Sequence, residues 1–197
     1  AAKKSSLIEP SDLDNADATV ERLIDEIFIE TYKLNPSKPV VYEGQRLVVR
    51  EIVKRFAHRI IEMDKAYAPF NIEILEQGGL DYTVRMNQYP GSAKLSGKID
   101  RVDRKGDLIR VIDYKTGKDE LYFESVSSLF RRDGKRNKAA FQTLLYALLY
   151  QVNARNAAYK IVPGLINRMN LFDSEFKFGL KVGKTFVEDV DPLLPEF

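Results

Sequence analysis

The order of hydrophobic patterns predicts a mixed α/β domain: two helices, a meander of strands, a further helix and closing strands. Two observations carry that expectation. Apolar residues recur at helical spacing up to about residue 66, and beyond Pro69 they gather into short runs rich in β-formers. No internal repeat interrupts the order, and 197 residues suffice for one large domain with its own core, or at most two small ones. The expected organisation is a single domain, with a helical lead-in over 1–70 and a core over 71–197.

Residues 1–16 are polar and are expected to be irregular. Over 18–32, Val20, Leu23, Ile24, Ile27 and Phe28 keep a helical rhythm, which Asn35-Pro36 and Pro39 end. A second helix is predicted over 44–66, with Leu47, Val48, Ile52, Phe56, Ile60 and Met63 on its inner side and Pro69 as its stop. Short strands follow over 71–75 and 82–86, separated by Gly78-Gly79. Two more, over 95–102 and 108–114, are joined by a turn at Lys105-Gly106. The basic stretch 124–138 reads as a mobile loop or short helix, 139–153 as an apolar helix, and 159–162 and 170–182 as returning strands.

Composition narrows the chemistry. The absence of cysteine removes disulfides, thiol catalysis, cysteine zinc sites and iron–sulfur clusters together. With His58 the single histidine, a bound metal must rely mainly on oxygen ligands, the set that suits Mg²⁺ or Mn²⁺. A net charge of +2 leaves any nucleic-acid affinity to local clusters of charge. No apolar run approaches the roughly 20 residues of a membrane helix, and no signal peptide is visible. A cytoplasmic location away from membranes is expected. The opening AAKKSS lacks an initiator Met, as a domain cut from a longer polypeptide or a tag scar would.

The informative stretch is GKIDRVD at 97–103, followed by VIDYKTG at 111–117. Alternate side chains of a strand share a face, so Asp113 and Lys115 project together while Tyr114 points the other way. With a two-residue turn at Lys105-Gly106, Asp100 sits opposite Val111 and diagonal to Asp113, with backbones roughly 7–8 Å apart, within reach of one shared cation. A three-residue turn would flip Asp113 to the far face. An arbitrary Asp-x-Lys reads as a solvated salt bridge. Here Val111-Ile112 is a buried-type run, and charges at the mouth of a buried strand need compensation that a divalent metal supplies.

The pattern G-x-I-D-R-x-D, then I-D-Y-K-T-G, then Q-x-x-x-Y, over 97–146, resembles the PD-(D/E)XK nuclease superfamily. Within it the RecB-like branch, which includes the nuclease domains of bacterial helicase–nuclease repair complexes, is the most similar. KAYAPFNIEILEQ at 65–77 resembles the lead-in of bacterial members. The resemblance implies a restriction-endonuclease-like core, a central mixed sheet flanked by helices. It also implies a Mg²⁺- or Mn²⁺-dependent DNA exonuclease of repair or recombination, with a fused or associated helicase. Asp100 would be the first metal-binding aspartate, Asp113 the second acidic residue and Lys115 the lysine of the D-x-K signature. The backbone carbonyl of Tyr114 would complete the metal shell, and Glu76 resembles the glutamate that ends the family's lead-in strand. The branch places a metal-binding histidine on an early helix; His58 falls later in the chain than that.

Gln142 and Tyr146, four apart, lie on one helical face. Alone they read as a polar pair satisfying each other inside a buried helix; after D-x-K they are expected to position DNA or the attacking water. Arg131, Arg132, Lys135, Arg136 and Lys138 form a basic run just before them, a solvated loop by default and a phosphate contact by its placement. Gly183-Lys184-Thr185 looks like part of a phosphate-binding loop, but Phe178 stands where that loop needs glycine. Two other readings compete with an active nuclease. One is a catalytically degenerate fold that binds DNA or a partner protein as a scaffold. The other is a metal-dependent hydrolase or transferase acting on small molecules in a closed pocket.

Overall fold

The computed structural model describes residues 6–85, 90–154, 159–174 and 176–197. Two compact units emerge: Ile8–Pro69, and Phe70–Phe197 together with the start of the chain.

The first unit holds a 3₁₀ turn, Pro10–Leu13, and two helices, α1 (Ala16–Tyr32) and α2 (Gln45–Tyr67). Val20, Ile24 and Phe28, one i, i+4 row of α1, are buried against Val40, Tyr42, Ala57 and Ile61. Leu23 and Ile27 share the helical rhythm of α1 yet are exposed, and Leu47, Val48 and Ile52 of α2, expected on its inner side, are exposed too. Phe56, Ile60 and Met63 are half-buried. A lone helix pair buries one ridge per helix, and the 20–24–28 row occupies it. Glu21 of α1 pairs with Arg50 and Lys54 of α2. No described helix is long and apolar enough to cross a membrane.

The second unit is built on strands. In chain order they are β1 (Ser6–Ile8), β2 (Phe70–Arg85), β3 (Ser92–Lys105), β4 (Leu108–Lys115) and β5 (Tyr122–Phe123). After the helix α3 (Lys138–Ala154) come β6 (Lys160–Asn167), β7 (Lys181–Val182) and β8 (Thr185–Phe186). The main sheet has the order β1-β2-β3-β4-β6, and β5-β7-β8 form a small second sheet. β2, β3 and β4 are antiparallel neighbours, while β4 and β6 run parallel. Parallel neighbours need a crossover, and α3 lies within it. This mixed sheet with its packed helix is the α/β, restriction-endonuclease-like core.

Local expectations needed correction in three places. Residues 1–16, expected to be irregular, contain β1 and the 3₁₀ turn. The two strands predicted around Gly78-Gly79 are one strand, β2, and the glycines make a bulge where its register against β3 shifts between Gln77 and Leu80. Gly79 takes a φ of +82° there; the predicted strand end at Met86 lies outside the described residues. Residues 124–138 hold a short 3₁₀ helix, Ser127–Phe130, one of the two expected forms. The closing strands predicted over 159–162 and 170–182 are instead β6, which runs on to Asn167, and the short β7–β8 hairpin. Gly183, at φ +58°, opens the turn of that hairpin, so Gly183-Lys184-Thr185 is a turn sequence and no phosphate loop.

The core lies between α3 and the sheet. Ala140, Leu144, Ala147 and Leu149 of α3 meet Ile99, Val102, Ile109, Val111, Ile161 and Leu165. Small residues on α3 let its backbone approach the sheet. From Ile109 to Asp113 every residue of β4 is buried, the signature of a central strand covered on both faces. On β6, a Cβ at Gly164 would fall 1.9 Å from the Phe178 ring, which also lies over the Arg110 guanidinium at 5.4 Å. Gly164→Ala is therefore expected to lower stability by about 1–3 kcal/mol, as overpacking does. Denaturant unfolding of the two proteins checks it, and an unchanged midpoint would show that Phe178 swings aside freely.

Candidate active site

β3 and β4 are joined by a two-residue turn, as expected, but its residues are Gly106-Asp107 and not Lys105-Gly106, because Lys105 already pairs with Leu108. Gly106 leads the turn at φ +62°, the conformation the first turn position requires. Val102 therefore faces Val111, and the paired rows end at Arg101–Ile112. The expected opposition of Asp100 to Val111 is replaced. Asp100 lies level with Asp113 just past the last paired row. Because the register differs by an even count, the two carboxylates keep a common face.

At this open end of the ladder, the Asp100 side chain takes over a backbone role. Its Oδ2 accepts a hydrogen bond of 2.9 Å from the Tyr114 amide. Asp113 is 1% exposed. Lys115, two residues on, reaches back: its Nζ donates to Asp113 Oδ1 at 2.9 Å. The same ammonium lies 2.7 Å from Oδ2, yet Oδ2 has no hydrogen bond of its own. Burial pushes the Asp113 carboxyl up to about 6; Lys115 pulls it down and the Asp100 charge raises it further. Tyr114 turns to the other face, where its hydroxyl accepts from Arg101 at 3.1 Å.

α3 closes over this end. Gln142 Nε2 donates to the Tyr146 oxygen at 2.6 Å. That leaves the phenolic proton as a donor. Burial raises the Tyr146 pKa, the Gln142 hydrogen bond opposes the rise, and the charges of Asp113, Asp100 and Lys115 all act on it. The five residues Asp100, Asp113, Lys115, Gln142 and Tyr146 thus share one neighbourhood. A family model of the PD-(D/E)XK nuclease superfamily matches residues 3–188.

The chain belongs to this superfamily. No match is found among curated proteins.

Nucleases of the PD-(D/E)XK superfamily generally use divalent metals. The residues present fit one. Asp113 Oδ2 is a buried acceptor without a hydrogen bond, beside a second carboxylate, and hard oxygen donors match a hard cation. Among the described residues, no three carboxylate or histidine side chains gather in one place. Glu76 is level with Asp100, since Leu75–Arg101 and Gln77–Ile99 bracket it. It does not end its strand but sits within β2 at φ +51°, with its carboxylate on Lys98. His58 is on α2, in the helical unit, with its Nδ1 2.9 Å from Asp17 of α1. In the basic run, Arg131 is held by Asp133 and Arg136 covers the Phe141 ring at 5.4 Å, while Arg132, Lys135 and Lys138 are exposed.

Three positioning residues escaped sequence reasoning. A Cβ on Gly97 would stand 2.8 Å from the Tyr146 ring, so the glycine that opens the motif makes room for the tyrosine. Asn137 caps α3 by accepting from the Ala140 amide at 2.9 Å, and donates to the carbonyls of Glu120 and Tyr122. An asparagine just ahead of an apolar helix is a readable signal for that cap. Asn167, 1% exposed, donates to the Asp119 carbonyl at 2.5 Å. No sequence signal marks it, because its partner lies 48 residues away.

The raised Asp113 pKa predicts a pH dependence of stability. The folded chain holds that proton up to about 6, whereas 3.8 is the ordinary value, so between the two the folded state binds more protons than the unfolded one. Stability is full below 3.8 and is lost as pH rises towards about 6. The loss amounts to about 3 kcal/mol at roughly 1.4 kcal/mol per pKa unit. Asp113→Asn lacks this loss. Denaturant unfolding without metal at pH 4 to 7.5 checks it, and parallel pH profiles for the two proteins would refute it.

Proposed function

We propose that this chain is a metal-dependent deoxyribonuclease that hydrolyses phosphodiester bonds. The observation that carries the reading is the gathering of Asp100, Asp113 and Lys115 where the β3–β4 ladder ends, under the Tyr146 hydroxyl. Asp100 and Asp113 would hold Mg²⁺ or Mn²⁺, with the Tyr114 carbonyl as a third donor. A strand residue's carbonyl points to the same edge as its amide, and the Tyr114 amide faces Asp100. Bound there, the ion supplies Lewis-acid polarisation of the scissile phosphate and activation of the attacking water.

The remaining steps belong to the chain. Lys115 orients the attacking water or stabilises the charge that grows on the phosphoryl oxygens. The Tyr146 hydroxyl, fixed by Gln142, donates a hydrogen bond to the strand and sets its position. Arg131, Arg132, Lys135, Arg136 and Lys138 contact backbone phosphates. On this reading the 197 residues act as one nuclease domain of the RecB-like branch, a helical lead-in over 1–70 and a catalytic core over 71–197. Exonuclease action in repair or recombination, alongside a helicase, is the role that branch implies.

A catalytically degenerate scaffold is the competing reading, favoured by the lack of a third carboxylate or histidine beside the pair among the described residues. Cleavage of end-labelled DNA in Mn²⁺ separates them. The wild type is expected to cleave, and Lys115→Ala to be slower by about 10²–10³-fold, the size of effect that follows loss of one transition-state donor. Equal rates would remove Lys115 from the mechanism. Asp113→Asn is expected to stay folded and lose Mn²⁺ binding by calorimetry; unchanged affinity would remove Asp113 from the metal shell.

A further inference from the structure

Beside the N-terminal end of α3 lies an open cleft of about 600 Å³. One wall begins at Lys118, three residues past Lys115, and the other carries Arg131, Lys135, Arg136 and Lys138. Its lining holds five cations against three carboxylates. Arg131 is engaged with Asp133 and Glu124, whereas Lys118, Lys135 and Lys138 form no ion pair with another described residue. Two aromatic rings accompany these cations. Tyr122, 47% exposed, lines the cleft, and Phe130, 48% exposed, precedes Arg131 in the chain.

Phe130 is not a loose surface ring. Phe141 meets it edge-on at 5.5 Å and Phe197 lies tilted at 5.5 Å, so the ring is braced while about half of it faces solvent. Phe141 is also the residue before Gln142, which ties the cluster to the helix face over the candidate active site. Free cations next to two exposed rings, one of them braced, form a surface with two complementary capacities. The cations neutralise phosphates, and the rings offer flat faces for stacking. Duplex DNA uses only the first capacity, because its base faces are already stacked on one another. An unpaired strand uses both.

We propose that this cleft binds single-stranded DNA, with phosphates on Lys118, Lys135 and Lys138 and bases stacked on Tyr122 and Phe130. The proposal rests on the nuclease reading above and names the strand form that reaches the site. The test is fluorescence anisotropy of the full chain with labelled oligothymidylate and with a duplex of equal length, in EDTA so that no metal-dependent cleavage intervenes. Single strand is expected to bind about 10-fold more tightly than duplex. The double variant Tyr122→Leu/Phe130→Leu keeps apolar bulk for folding but loses both ring faces, and is expected to bind single strand about 10-fold or more weakly. Lys135→Ala/Lys138→Ala should flatten the slope of log affinity against log salt by about 1.4, at roughly 0.7 per phosphate contact on a single strand. Thermal unfolding of each variant verifies that the fold is kept.

A preference for duplex, or leucine variants that bind single strand as the wild type does, overturns the proposal. The two readings fail separately. Mn²⁺-dependent cleavage together with unaltered binding by the leucine variants overturns the stacking site and leaves the nuclease standing. Ring-dependent binding of single strand without cleavage in Mn²⁺ supports the site and overturns the nuclease.

Discussion

Taking a carboxylate out of water is costly unless opposite charge and hydrogen bonds go with it, and β4 carries Asp113 almost wholly out of water. The strand has β3 on one edge, β6 on the other and α3 across it. Its buried run reaches Asp113 before the chain re-emerges. Only there can Lys115 fold back, and its ammonium leaves one Asp113 oxygen without a hydrogen bond. The result is a carboxylate with a raised pKa beside a second aspartate, an environment that a divalent cation relieves. Tyr146 and Gln142 come to this point because α3 must lie on β4 to cross over to β6.

The same hairpin carries a second set of buried charges, in which both oxygens of the carboxylate are engaged. Asp103, with no exposure, accepts from Arg101 Nε at 2.8 Å and from Arg110, and both guanidiniums lie over the Phe70 ring. Asp103 lies three positions after Asp100, so in an extended strand they point to opposite faces. One face therefore holds a carboxylate satisfied by two arginines, and the other a pair of carboxylates, with Lys115 on Asp113 and the Tyr114 amide on Asp100. In the first arrangement both carboxylate oxygens already have a guanidinium partner, which makes it structural. The second retains capacity for a ligand.

Accuracy at the site comes from residues with no chemistry of their own. Asn137 and Asn167 clip the backbone at 119–122 from two directions, fixing the segment that follows Lys115. Gly97 lets the Tyr146 ring settle on β3. Each acts by permitting or enforcing an approach between segments distant in sequence.

Much of the site was legible in advance because strand geometry is local. Asp113 and Lys115, two apart, must share a face, and the absence of cysteine with a single histidine leaves a metal mainly to oxygen donors. Element order was legible too, since helical and strand periodicities differ over ten residues or fewer. What stayed hidden depended on which surface comes to lie opposite another. Leu23, Ile27 and Leu47 have the spacing of core residues but stay exposed. Gly78-Gly79 has the composition of a turn, yet the long pairing of β2 with β3 carries the strand straight through. Glu76 was assigned to the end of a strand, and the ladder set it beside Lys98. The sequence by itself determined the residue types and the face each strand offers; the tertiary structure decided the register, the bulge and the cover of α3, because pairing energy is shared between segments and no single segment contains it.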